Sequence, residues 1–143
     1  MKSAMLALCA LAFLTGGAAS DPIADRQAVM KKIGGLVGRE LAPFGRGEKP
    51  YDAAAVMTAL KALDETVKVY DVDALFPVGT ETGNTKASPK IWEDRAGFQA
   101  AVDKFSSDIG AAVAANPQDL TTFQPLLGAI GANCGACHGA WRL

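Results

Sequence analysis

The chain has 143 residues, with 14 Lys and Arg against 15 Asp and Glu and a single histidine. That length suits one domain with one core, which buries roughly two-thirds of the surface of the unfolded chain. The charges are scattered, as at Asp21, Asp25, Lys31 and Lys32, so neither a nucleic-acid-binding stripe nor a polybasic membrane patch is expected.

Residues 1–20 read as an export signal. Lys2 supplies a positive start, Ala4 to Leu14 form a short apolar stretch, and Thr15-Gly16-Gly17-Ala18-Ala19-Ser20 offers small residues for cleavage before Asp21. The apolar stretch is too short to span a bilayer. Leu8, before Cys9, stands where a lipoprotein signal would want a small residue, so no lipid or membrane anchor is expected. Cleavage removes Lys2 and Cys9, leaving residues 21–143 as one periplasmic domain with 13 basic and 15 acidic residues.

Four segments carry helical periodicity. In the first, Ile23, Arg26, Met30, Ile33, Val37 and Leu41 recur at steps of three or four. The second follows Asp52 as N-cap, with Val56, Leu60, Leu63, Val67 and Tyr70 on its stripe. The third starts at Ser88-Pro89 and carries Ile91, Arg95, Phe98, Val102, Phe105 and Ile109 until Asn116-Pro117 stops it. The fourth presents Leu120, Phe123, Leu127, Ile130, Cys134, Cys137 and Trp141, with Pro125 either in its first turn or kinking it. Linkers are expected at 42–51 and 73–87, where Pro and Gly accumulate, and no segment alternates long enough for a strand.

The chemistry gathers at the C-terminal end, in Cys134-Gly135-Ala136-Cys137-His138. This is the spacing by which a c-type haem is attached, each thiol adding to a vinyl group while the imidazole takes the iron. The sole histidine limits the chain to one haem and excludes a bis-histidine iron. A disulfide between such near neighbours closes only a tiny loop, and a thioredoxin-type motif belongs in a βαβ setting. A zinc site lacks a fourth ligand. Haem is the reading that uses all three residues, and it leaves a haem-free helical interaction module as a distant alternative.

Four amphipathic helices with cofactor-bearing side chains turned inward describe an antiparallel up-down-up-down four-helix bundle, an architecture for which the cytochrome c′ fold is a standard example. The chain from Asp21 to Leu143 resembles the class II cytochromes c, meaning the cytochrome c′ family with its low-spin, methionine-ligated relatives. The resemblance rests on the C-terminal haem motif, on Arg26-Gln27-Ala28-Val29-Met30-Lys31, on Gly47-Glu48-Lys49-Pro50-Tyr51 and on Pro89-Lys90-Ile91-Trp92.

That resemblance implies thioethers at Cys134 and Cys137 and a proximal His138. It places Arg142 beside the proximal face, Arg26 and Gln27 near the haem propionates, and Met30 at the distal position. Trp141 stands where the family usually has tyrosine or phenylalanine, which keeps aromatic bulk without a phenol. Gly34, Gly35 and Gly38 are expected to let the first helix approach the porphyrin. Coordination by Met30 implies electron transfer with redox partner proteins; a vacant distal face implies binding of nitric oxide or carbon monoxide. No acid–base pair or activated nucleophile is evident, so no enzyme activity is expected. The resemblance further implies a homodimer, with Leu36, Val37, Leu41 and Phe44 as candidate contacts.

Overall fold

The computed structural model describes residues 21–143, so the expected signal lies outside the described residues. The helices are α1 (Pro22–Gly35), a π-helical turn (Leu36–Leu41), α2 (Ala42–Gly45), α3 (Ala53–Lys68), α4 (Val72–Leu75), α5 (Lys90–Glu93), α6 (Arg95–Ala115) and α7 (Leu120–Trp141). The first three elements form one continuous rod, and with α3, α6 and α7 it builds the expected all-α four-helix bundle. Among the described residues the only strand-like pairing is an isolated antiparallel bridge between Ala87 and Arg142.

Aspartates start the helices. Asp21 accepts from the Ile23 and Ala24 amides, Asp52 from Ala55, Asp94 from Gly97 and Asp119 from Thr122. Each satisfies an amide that the first turn cannot pair, a contribution of about 1 kcal/mol. The N-cap expected at Asp52 is present.

The first helix continues through Pro43 to Gly45, into what reads from sequence as a linker. Proline donates no hydrogen bond and its ring crowds the carbonyl four residues back. Widening the preceding turn relieves this: the Ala42 N–H bonds the Val37 carbonyl, five residues back, and Pro43 enters at the start of α2. Termination then falls to glycine. The Gly47 N–H reaches the Phe44 carbonyl at 3.0 Å and the Glu48 N–H reaches Pro43 at 2.9 Å, with Gly47 at φ +69°.

The third helix is broken where sequence reads it as continuous. Asp94, at φ −127° and ψ 66°, separates the single turn α5 from α6, and its carboxylate caps Gly97 at 3.0 Å. Arg95 consequently leaves the apolar stripe and bonds the Phe76 carbonyl at 3.1 Å, the Val72 carbonyl at 2.8 Å and the Asp73 carboxylate at 2.7 Å. In the fourth helix Pro125 lies inside α7. The carbonyl it leaves unpaired belongs to exposed Thr121, where water can serve.

Two apolar clusters result. The larger gathers Leu41, Phe44, Val56, Leu60, Leu63, Ile109, Phe123 and Ile130; the smaller gathers Val72, Phe76, Ile91, Phe98 and Trp141. Leu41 and Phe44 are therefore core residues, with Leu36 and Val37 packed against the same cluster. This corrects the expected subunit contacts at two of the four positions: the widened turn rolls Leu41 and Phe44 into the bundle, and these two offer no surface to a second copy.

Candidate cofactor-binding site

The last two turns of α7 carry Cys134, Cys137 and His138. Spacings of three and four put them on one side of the helix. All three line a cleft whose inner part, about 340 Å³, is walled by Met30, Ile33, Gly34, Val37 and Gly38 from the first helix. Val67 and Tyr70 follow from the α3 side, and Phe98, Ala101, Val102 and Phe105 from α6. An outer part of about 420 Å³ shares Met30, Tyr70, Phe98, Cys137 and His138, and adds Arg26, Gln27, Lys31, Lys86, Trp141 and Arg142.

Both cysteines are free. Burial pushes the Cys134 thiol pKa up; at Cys137 burial does the same, and the neighbouring Cys134 adds to it. The sulfurs are therefore neutral at neutral pH. Among the described residues no group of three or more His, Cys, Asp or Glu side chains is arranged to hold a bare metal ion. Two neutral thiols and an imidazole along one wall of an apolar cleft instead fit a planar cofactor attached at its edge.

Met30 is 38% exposed, unusual for an apolar residue on a helical stripe, and it lines both parts of the cleft. Gly34 and Gly38 also line the wall, and nothing stands within 4 Å of where a Cβ would be on either. Gly35 behaves differently. It faces the Arg39 side chain, so two of the three glycines serve the cleft.

Arg26 is 5% exposed and its guanidinium is engaged by the segment 75–85. Nη1 donates to the Leu75 carbonyl at 3.2 Å and Thr80 Oγ1 at 2.9 Å; Nη2 donates to the Thr80 carbonyl at 2.7 Å and Thr85 Oγ1 at 2.9 Å. The same group lies 5.0 Å from the Phe76 ring centroid and 5.7 Å from that of Trp92. Gln27 Nε2 donates to the Asn84 carbonyl at 2.7 Å.

Trp141 is buried, edge-on to Phe98 with centroids 5.6 Å apart, so the aromatic bulk is kept. Arg142 follows at the end of α7, its amide 3.3 Å from the His138 carbonyl.

Several cleft residues escape sequence reasoning. Tyr70, Phe98 and Phe105 read as ordinary stripe residues, although lying on stripes that face the cysteine stripe was a usable signal. Tyr70 is buried enough that its hydroxyl pKa is pushed strongly upward, with a smaller push from Cys137, which keeps the phenol protonated. Asn133 gives no sequence signal beyond being polar on an inward face. It is buried, and its Nδ2 bonds Asp108 Oδ2 at 2.7 Å and the Ala129 carbonyl at 2.9 Å.

Residues 21–142 match the sequence profile of the family described as Cytochrome C′. The chain belongs to the cytochrome c′ family. A cytochrome c-556 from Agrobacterium fabrum is 39% identical over 136 residues, covering 95% of this chain and 88% of its own. A cytochrome c′ from Rhodopseudomonas palustris is 34% identical over 148 residues, covering 99% of this chain and 97% of its own. Among solved structures, the cytochrome c′ from Rhodobacter Spheriodes superposes with TM-score 0.79 at 30% identity, over 85% of this chain and 95% of that one. Cytochrome c′ proteins are four-helix bundles carrying one covalently attached haem c, and the cleft has the donor set and apolar walls that such a group requires.

Proposed function

We propose that this chain is a periplasmic monohaem electron-transfer cytochrome, with thioethers at Cys134 and Cys137, His138 as proximal ligand and Met30 as distal ligand. One observation carries the reading: Met30 enters the cleft from α1 and His138 enters the same cleft from α7. When bound, haem supplies a one-electron couple at its iron. An imidazole and a thioether together saturate that iron and raise its potential, which favours outer-sphere electron transfer. Val37, Val102 and Phe105 line the inner wall and exclude water.

Redox partner proteins are the expected partners, and no side chain is assigned a catalytic role. Export rests on the reading of residues 1–20. Among the described residues no helix is long and apolar enough to cross a membrane.

A second reading has its own support. A nitric oxide complex of a mutant cytochrome c prime from Alcaligenes xylosoxidans superposes with TM-score 0.75 at 33% identity, over 85% of this chain and 93% of that one. In this reading Met30 packs without coordinating, and the open distal face takes nitric oxide or carbon monoxide. An absorption spectrum of the oxidised and reduced holoprotein decides between the two. A low-spin ferric protein with a weak far-red charge-transfer band supports the electron carrier; a high-spin ferric protein supports the gas binder.

A further inference from the structure

Among the described residues no Asp, Glu, Lys or Arg lines the inner part of the cleft. Apart from the two thiols, His138 and the Tyr70 hydroxyl, the polar side chain on its wall is the Asn133 amide. A dipole beside so apolar a space is weakly screened, and burial and hydrogen bonding are among the levers by which a protein sets the potential of a haem.

The orientation of that amide is fixed by its partners. A carboxylate can only accept, so the amide turns its NH2 toward Asp108 and its oxygen away. Nδ2 donates to Asp108 Oδ2 at 2.7 Å and to the Ala129 carbonyl at 2.9 Å. Both donors are thus spent on protein acceptors in α6 and α7. What Asn133 leaves to the cleft is Oδ1, for which no donor is present among the described residues.

Asp108 strengthens this dipole from behind. Hydrogen bonds from Lys104 and Asn133 hold its carboxyl below the ordinary aspartate range, so it is ionised at neutral pH. A negative charge on the donor side of an amide polarises electron density toward the amide oxygen. The balancing ammonium is on the solvent side: the Lys104 side chain is 67% exposed against 23% for Asp108, where water and salt weaken its opposing field.

We infer that Asn133 presents Oδ1 as a fixed negative dipole to the haem, and that Asp108 is the positioning residue that orients and polarises it, so that the pair lowers the reduction potential. This rests on the haem reading above. The amide acts one residue before Cys134, the first point of attachment, and favours the more positive ferric state.

The experiment measures midpoint potentials of holoproteins at neutral pH and fixed ionic strength. Asp108→Asn removes the charge while keeping an oxygen that can accept from Asn133, and it should raise the potential. Lys104→Met, at an exposed position, should lower it. Asn133→Leu should raise it and should shrink the further effect of Asp108→Asn added to it. Asp103→Asn is the control for charge alone: Asp103 lies on the same helix, exposed, and accepts from Gln99 at 2.8 Å. An Asp108→Asn potential that matches wild type, or moves no further than that of Asp103→Asn, would overturn the inference. So would an Asp108→Asn shift that persists undiminished in Asn133→Leu, since the carboxylate would then act without the amide. A wild-type protein without a c-type haem spectrum would overturn the haem reading and the inference with it, whereas unmoved potentials overturn the inference alone.

Discussion

Asn133 Nδ2 lies 2.7 Å from Asp108 Oδ2, joining α7 to α6 one residue before the first cysteine of the motif. Lys104 binds the same carboxylate oxygen at 2.7 Å. Hydrogen bonds from Lys104 and then Asn133 hold the Asp108 pKa below its ordinary value. The stabilisation is therefore present above the usual aspartate pKa and is lost as pH falls through the depressed one. For a partly exposed carboxylate it amounts to about 1 kcal/mol or less. Melting curves between about pH 2 and 6 should show Asp108→Asn losing less stability on acidification than wild type, and equal slopes would remove this pair from the acid response.

Met30→Ala separates the two functional readings. If the sulfur binds iron, the substitution abolishes the far-red band and yields a high-spin haem that takes carbon monoxide when reduced. Lost packing costs about 2 to 5 kcal/mol for a fully buried methionine and less at this half-open position, so stability cannot discriminate. A wild-type protein already high-spin at neutral pH would favour the gas-binding reading.

Cys134→Ala or Cys137→Ala should weaken covalent retention, and the double variant should release its haem to acidified organic solvent. Haem still held covalently in that double variant would refute the thioether assignment. Because the cleft walls come from both apolar clusters, the haem-free protein should also melt less cooperatively, as calorimetry can show.

Leu41→Ala should destabilise by about 2 to 5 kcal/mol, since Leu41 is fully buried in the larger cluster. The loss should be the same at dilute and concentrated protein. A loss that grows on dilution would return Leu41 to an interface between copies, and sedimentation would then show the dimer dissociating.

The bundle and its haem motif were legible because they rest on local signals: apolar steps of three and four, the Asp52 cap, and a five-residue spacing around the only histidine. The departures arise where two local rules compete. Pro43 reads as a helix stop, yet a wider turn removes its conflict. Asp94 lies on an otherwise continuous stripe, yet its capping bond to Gly97 outweighs one more helical residue. Arg26 and Gln27 line the outer cleft, but their hydrogen-bond partners lie 49 to 59 residues away, a separation that periodicity does not report. The Asp108–Asn133 pair, 25 residues apart, is hidden for the same reason.

The widened turn at Leu36–Leu41 lets one helix serve two neighbours. An α-helix advances about 100° per residue, so a turn that accommodates an extra residue resets the angular phase of everything after it. Before it, Met30, Ile33 and Gly34 face the cleft. At its end Leu41 joins the larger cluster, and beyond it Phe44 meets Tyr51, with ring centroids 6.4 Å apart. Deleting one residue there would regularise the hydrogen bonds while swinging Phe44 by about 100° away from that packing. The smallest edit that separates the cofactor-facing half of this helix from the half that binds the bundle together is thus a change of length rather than of any side chain.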